Sequence, residues 1–88
     1  MSTFSIVGIA KASFNGRNGA GTISVPGVKA GDIVIWMADT PSGESLQVRS
    51  IEFSPWVEGI ITVDDEVQQT VDGNASASIF TILLIRGV

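Results

Sequence analysis

The sequence predicts an all-β domain, and three observations carry that prediction. Val, Ile, Thr, Ser and Gly dominate, a composition suited to pleated strands and turns, and no window shows a convincing apolar period of 3.6 residues. Short apolar runs recur between clusters of turn residues, the pattern of a sandwich or small barrel. The run from Gly21 to Trp36 reads as strand, tight reversal, strand. Pro26 and Gly27 end one strand, and Gly31 supplies a positive φ before Asp32 opens the next, which is the pattern of a hairpin.

About seven strands follow along the chain. The first runs from Phe4 to Ala10, with an extension toward Phe14, and Asn15-Gly16-Arg17-Asn18-Gly19 turns it. The second, Gly21 to Val25, places Ile23 and Val25 on one face and Thr22 and Ser24 on the other. The third is Asp32 to Ala38, followed by a loop from Asp39 to Ser45. The fourth, Leu46 to Phe53, breaks phase, because Leu46 and Val48 share one face while Ile51 and Phe53 share the other. A bulge near Arg49-Ser50, or a change of sheet, reconciles the two halves. After Ser54-Pro55, Trp56 to Val63 forms the fifth strand. Asp64 and Asp65 reverse the chain into a short sixth, Glu66 to Val71. Asp72-Gly73-Asn74 leads to the last, Ser78 to Arg86. The architecture expected is a single antiparallel β-sandwich over residues 1–88, jelly-roll-like or immunoglobulin-like, with a small closed barrel as the alternative.

Two of these strands, Ile33–Met37 and Ile79–Ile85, are almost continuously apolar. Alternation suffices for one dry and one wet face, so continuity implies cover on both. A small two-layer domain has one inside. The outer face is therefore an apolar patch, or a second subunit covers it. Small scaffolds without disulfides or metals commonly gain stability by oligomerising. With no cysteine or histidine among 88 residues, 44% apolar and only 16% charged, a homo-oligomer is expected. Its candidate contacts are Ile33, Ile35, Phe53, Trp56, Phe80, Ile82 and Leu84.

The same composition argues against several functions. Net charge is −4, and the five basic residues are scattered, which does not suit a nucleic-acid surface. No run approaches membrane-helix length, and no secretory leader is expected. Without histidine or cysteine, and without a Gly-x-Ser-x-Gly elbow, no catalytic constellation is recognisable, and no cofactor is expected. The loop Gly16–Thr22 lacks the lysine and the following helix of a phosphate cradle and reads as a hairpin loop. Asp64-Asp65-Glu66 alternate faces on a strand and so read as a solvated turn rather than a cation site. Asn74-Ala75-Ser76 matches the glycosylation pattern by chance in a chain with no secretory route. Trp36, among apolar residues, reads as core. Trp56 reads as core or subunit contact, or as a stacking platform for a sugar, with Asp39 and Glu44 beside it.

The segment Gly-Thr-Ile-Ser-Val-Pro-Gly-Val-Lys-Ala-Gly-Asp-Ile-Val-Ile, residues 21 to 35, resembles a strand-turn-strand segment of small β-sandwich modules in tailed-phage virions, including head decoration, head-fibre and tail-fibre types. The closing strand ending Ile82-Leu83-Leu84-Ile85-Arg86 resembles their last strand. The likeness covers about a third of the chain and is shared with adhesin and carbohydrate-binding sandwiches. It implies a capsid decoration or stabilising protein, made in a host cytoplasm and located in the virion. It also implies a homo-oligomer, a trimer, docked on a larger assembly such as a capsid or tail. No catalytic residue is carried over. A carbohydrate- or receptor-binding module of a tail fibre or adhesin is the rival expectation.

Overall fold

The computed structural model describes residues 8–40, 47–49 and 56–86. They form an all-β fold with six strands: β1 (Gly8–Asn15), β2 (Gly21–Ser24), β3 (Ile33–Thr40), β4 (Gln47–Arg49), β5 (Glu66–Gln69) and β6 (Ile79–Arg86). There are two antiparallel sheets, one in the order β1-β6-β3-β4 and one pairing β2 with β5. The predicted strand ends at Phe4–Val7, Leu46 and Ser50–Phe53, with the bulge proposed near Arg49-Ser50, lie outside the described residues.

The closing strand is the spine of the larger sheet. β6 pairs with β1 over its whole length, from Gly8 opposite Arg86 to Asn15 opposite Ile79. On its other side it pairs with β3, from Ile33 opposite Ile85 to Thr40 opposite Ile79. Its residues alternate as the pleat requires. Phe80, Ile82 and Leu84 are buried in the core, while Ile79, Leu83 and Ile85 face outward. β3 departs from strict alternation because Ile35 is an extra residue between Val34 and Trp36, a bulge that puts Ile35 and Trp36 on the same outer side.

The hairpin expected at residues 21–36 is not formed. β2 pairs with β5 and β3 with β6, so the reversal carries the chain from one sheet to the other. The reason is in its own residues. Val25 and Val28 flank Pro26-Gly27 and both are buried, so the reversal fills the core instead of turning back on itself. Gly27 and Gly31 take φ of 105° and 94°, the left-handed conformations glycine allows. The Gly16–Thr22 loop likewise joins strands of different sheets rather than making a hairpin, as does the Asp72–Asn74 turn. Among the described residues the hairpin-like pairing of consecutive strands is β3 with β4.

The predicted fifth strand, Trp56 to Val63, is not a strand. It is a stitch between the sheets. Val57 bridges Gln69, and Ile60 bridges Ile33. Glu58 N–H donates to Gln68 O at 3.0 Å on the smaller sheet, and three residues later Ile61 N–H donates to Asp32 O at 2.9 Å, beside the larger. Neither ladder is long enough to count as a strand. Val57 and Ile61 enter the core between the sheets, beside Val34, Met37, Val67 and Phe80.

Candidate functional site

The outer face of the larger sheet is the most distinctive surface. The register aligns Ile9, Ile85 and Ile33 across β1, β6 and β3, and the bridge to Ile60 extends the row onto the stitch. Directly opposed residues of an antiparallel ladder share a face. Ile9 is 68% exposed and Ile60 57%, and Ile33 is also exposed. The adjacent row holds Lys11, Leu83 and Trp36, with exposed Ile35 beside it. Toward the other end the face becomes polar. Ser13 and Thr81 share a hydroxyl hydrogen bond of 3.0 Å, and Asn15 and Thr40 flank an exposed Ile79.

This geometry corrects the list of expected contacts. Ile33 and Ile35 lie on the outer face, as a subunit contact needs. Phe80, Ile82 and Leu84 do not, because they are buried in the core of the single chain and offer nothing to a partner. A continuously apolar strand has two faces, and these three are on the inner one. Their outward neighbours Ile79, Leu83 and Ile85 take that place. Phe53 lies outside the described residues.

Trp36 departs from its expected place in the core, whereas Trp56 takes the first of the places expected for it, against the core. Trp36 is half-buried on the outer face, opposite Leu83. Trp56 packs against the core, its ring 6.1 Å from that of Phe80 at an interplanar angle of 37°. Gly73 sits over it so closely that a Cβ there would meet the indole at 3.0 Å. A sugar platform needs a free ring face, and Trp56 is enclosed on these sides. Asp39, its expected companion, is buried at 4% exposure in β3 rather than set on an exposed loop. Glu44 lies outside the described residues.

The acidic turn has a structural occupation that the sequence did not signal. Asp65 adopts φ 63° and accepts the Gly27 N–H at 2.8 Å through its carboxylate. Asp64 accepts the Ala30 N–H at 2.9 Å. The turn thereby docks onto the 25–31 reversal, which also exchanges backbone bonds with Asp65. Among the described residues no group of three or more metal-ligating side chains converges.

Two buried polar centres hold the loops. Asp32, 2% exposed, accepts Nε and Nη2 of Arg86 at 2.9 and 2.7 Å and the Lys29 N–H at 2.9 Å. Arg86 also donates to Gly27 O. The guanidinium hydrogen bond, joined by the Lys29 N–H, holds the Asp32 carboxyl below its ordinary value against the opposing effect of burial. Gln69, also 2% exposed, is the second centre. Its Oε1 accepts the Arg17 N–H at 2.9 Å. Its Nε2 lies 3.0–3.1 Å from the carbonyl oxygens of Arg17, Gly19, Val71 and Gly73. One amide thus ties the loop after β1 to the loop after β5. An open hollow of about 150 Å³ lies between the inner side of β1 and the reversal, lined by Ala10, Ala12, Gly27 and Val28 among others.

Comparison with known proteins adds no family: no protein-family model, curated protein or solved structure matches the chain.

Proposed function

We propose that this protein is a non-enzymatic structural subunit that works by self-association, in the manner of a capsid decoration or stabilising protein of a tailed-phage virion. In this reading its two sheets are the layers of one β-sandwich, jelly-roll-like or immunoglobulin-like, drawn toward a barrel on the side closed by the stitch at residues 56–63. The observation that carries the reading is the apolar half of the outer face, where four isoleucines align across the sheet. Exposed apolar area of this kind, concentrated on a small domain with few charges, supports burial against another chain. The sugar-binding alternative draws no support from Trp56, which packs against Phe80.

Light scattering on a sizing column at two concentrations tests self-association. An oligomer is expected, and a mass of 9.2 kDa at every concentration refutes it. The virion assignment is tested separately. Particles banded from a lysate carrying the coding sequence are expected to contain the chain in fixed stoichiometry, and its absence from the band overturns that part.

A further inference from the structure

We infer that the partner of the outer face is a second copy of this chain, packed sheet to sheet about a two-fold axis that runs parallel to the strands between β6 and β3. The inference rests on the self-association reading and specifies its geometry.

The argument starts from the symmetry of the patch. Across the strands the row is the same residue four times, Ile9, Ile85, Ile33 and Ile60. Along the strands it is unequal, apolar at the end that holds this row and polar at the end that holds Ser13 and Thr81. A face-to-face dimer has its dyad in the plane of the interface, and the contact is isologous. A dyad perpendicular to the strands and through the middle of the sheet sets the apolar end of one copy on the polar end of the other. A dyad parallel to them keeps apolar on apolar. Ile9 then opposes Ile60 of the partner subunit, and Ile85 opposes Ile33 of the partner subunit. Aligned sheets pack in this way about 10 Å apart, with side chains interdigitating.

Area and charge agree with this occupant. Three strands of eight residues, with the shorter column of β4 and the stitch beside them, give a face of at most roughly 26 by 19 Å, or about 500 Å² per copy. With the whole face in contact two copies bury at most about 1,000 Å², the lower end of the range for a specific protein interface, so the pair is expected to dissociate on dilution. Among the described residues on this face only Lys11 is charged, and it lies on the edge strand, where its ammonium can reach solvent. Trp36 and Leu83 extend the apolar ground next to the row.

The chain has no cysteine, so introduced thiols are unique reporters. Ile9→Cys and Ile60→Cys are made singly, at exposed positions that the core does not use. Each is treated alone, and then as an equimolar mixture, with a thiol cross-linker matched to the roughly 10 Å sheet spacing. The mixture is expected to give the covalent dimer in about tenfold higher yield than Ile9→Cys alone, since only unlike positions face each other. Ile33→Lys is expected to weaken the pair about 100-fold, because it buries an unpaired charge at the centre. Ser24→Lys on the other sheet is expected to leave the mass unchanged. Equal cross-linking in all three samples, or an odd-numbered oligomer such as the trimer the resemblance implies, overturns the two-fold geometry and leaves self-association standing. A monomer at every concentration overturns both.

Discussion

Replacing Gln69 by Glu is expected to reverse the sign of the protein's response to pH. The amide places its Nε2 within 3.0–3.1 Å of four carbonyl oxygens. A carboxylate keeps the bond from the Arg17 N–H but aims its second oxygen at those four acceptors, with no proton to offer. The folded state therefore holds the introduced carboxyl protonated, so its pKa rises above the unfolded value of about 4.3. When the folded state binds more protons than the unfolded one, stability falls as pH rises, by about 1.4 kcal/mol per unit between the two pKa values. From pH 4.3 to pH 7 the loss reaches about 3–4 kcal/mol, against a total stability of roughly 4–13 kcal/mol for a domain of this length. Gln69→Leu separates charge from the loss of hydrogen bonds. It strands the Arg17 N–H and the carbonyls of Gly19 and Val71, while Arg17 O and Gly73 O keep backbone donors from Ala75 and Gly19. Its cost is about 3 kcal/mol and does not vary with pH. Urea unfolding at pH 4.5, 5.5 and 7 measures all three proteins. If Gln69→Glu unfolds at pH 7 within 0.5 kcal/mol of the parent, the carbonyl cage does not exist as described.

The remaining predictions concern the same framework. The native protein is expected to lose stability in acid through Asp32: its folded pKa is depressed, so its contribution is complete above the ordinary value of 3.8 and disappears as pH falls toward the lowered one. Asp32→Asn is expected to cost about 2 kcal/mol at pH 7, held to that by the partial exposure of Arg86, and to flatten unfolding free energy between pH 5 and pH 2.5. Gly73→Ala forces a Cβ to within 3.0 Å of the Trp56 ring, and overpacking of about 1–2 kcal/mol is expected to lower Tm by roughly 4–16 °C in calorimetry. With Trp56→Phe, the remaining emission comes from Trp36 on the outer face. It is expected to shift to the red on dilution through the dissociation range, whereas constant emission in a dissociating protein argues that Trp36 lies outside the contact.

Strand identity was legible because it depends on local composition. The apolar runs at Ile33–Met37 and Ile79–Ile85 became β3 and β6, and the alternation of Ile23 and Val25 against Thr22 and Ser24 is visible in the burial of β2. Pairing was less legible. Pro26-Gly27 and Gly31 mark a reversal equally well for a hairpin and for a crossing between layers, and local φ preferences do not distinguish them. The deciding signal was Val28, an apolar residue inside a turn, which has reason to be there only if the turn is buried. The stitch at residues 56–63 deceived for the opposite reason. Its β-branched residues suit a strand, but it shares its hydrogen bonds between two sheets and completes a ladder with neither.

The candidate surface was half legible, and the missing half is a matter of phase. Continuous apolarity on β6 implied two dry faces, but alternation alone leaves open which set, Phe80-Ile82-Leu84 or Ile79-Leu83-Ile85, is the outer one. The answer depends on β1, where Ala12 and Phe14 pack inward and Ile9 is left outside. On β3 the bulge at Ile35 shifts the phase again, and this is what brings Trp36 to the surface. A regular strand with Val34 inside places Trp36 inside as well, and Met37 outside. One extra residue therefore moves the larger side chain into the outer face and the more adaptable thioether into the core, where Met37 is fully buried. Deleting Ile35 therefore leaves Trp36 outside and Met37 inside, opposite Leu83 and Ile82 as before, and removes only the bulge and the apolar row's neighbour. Such a deletion is expected to keep the fold in urea unfolding and to weaken self-association, as Ile33→Lys does by charge; a deletion variant that does not fold refutes the reading of Ile35 as the residue that sets the phase.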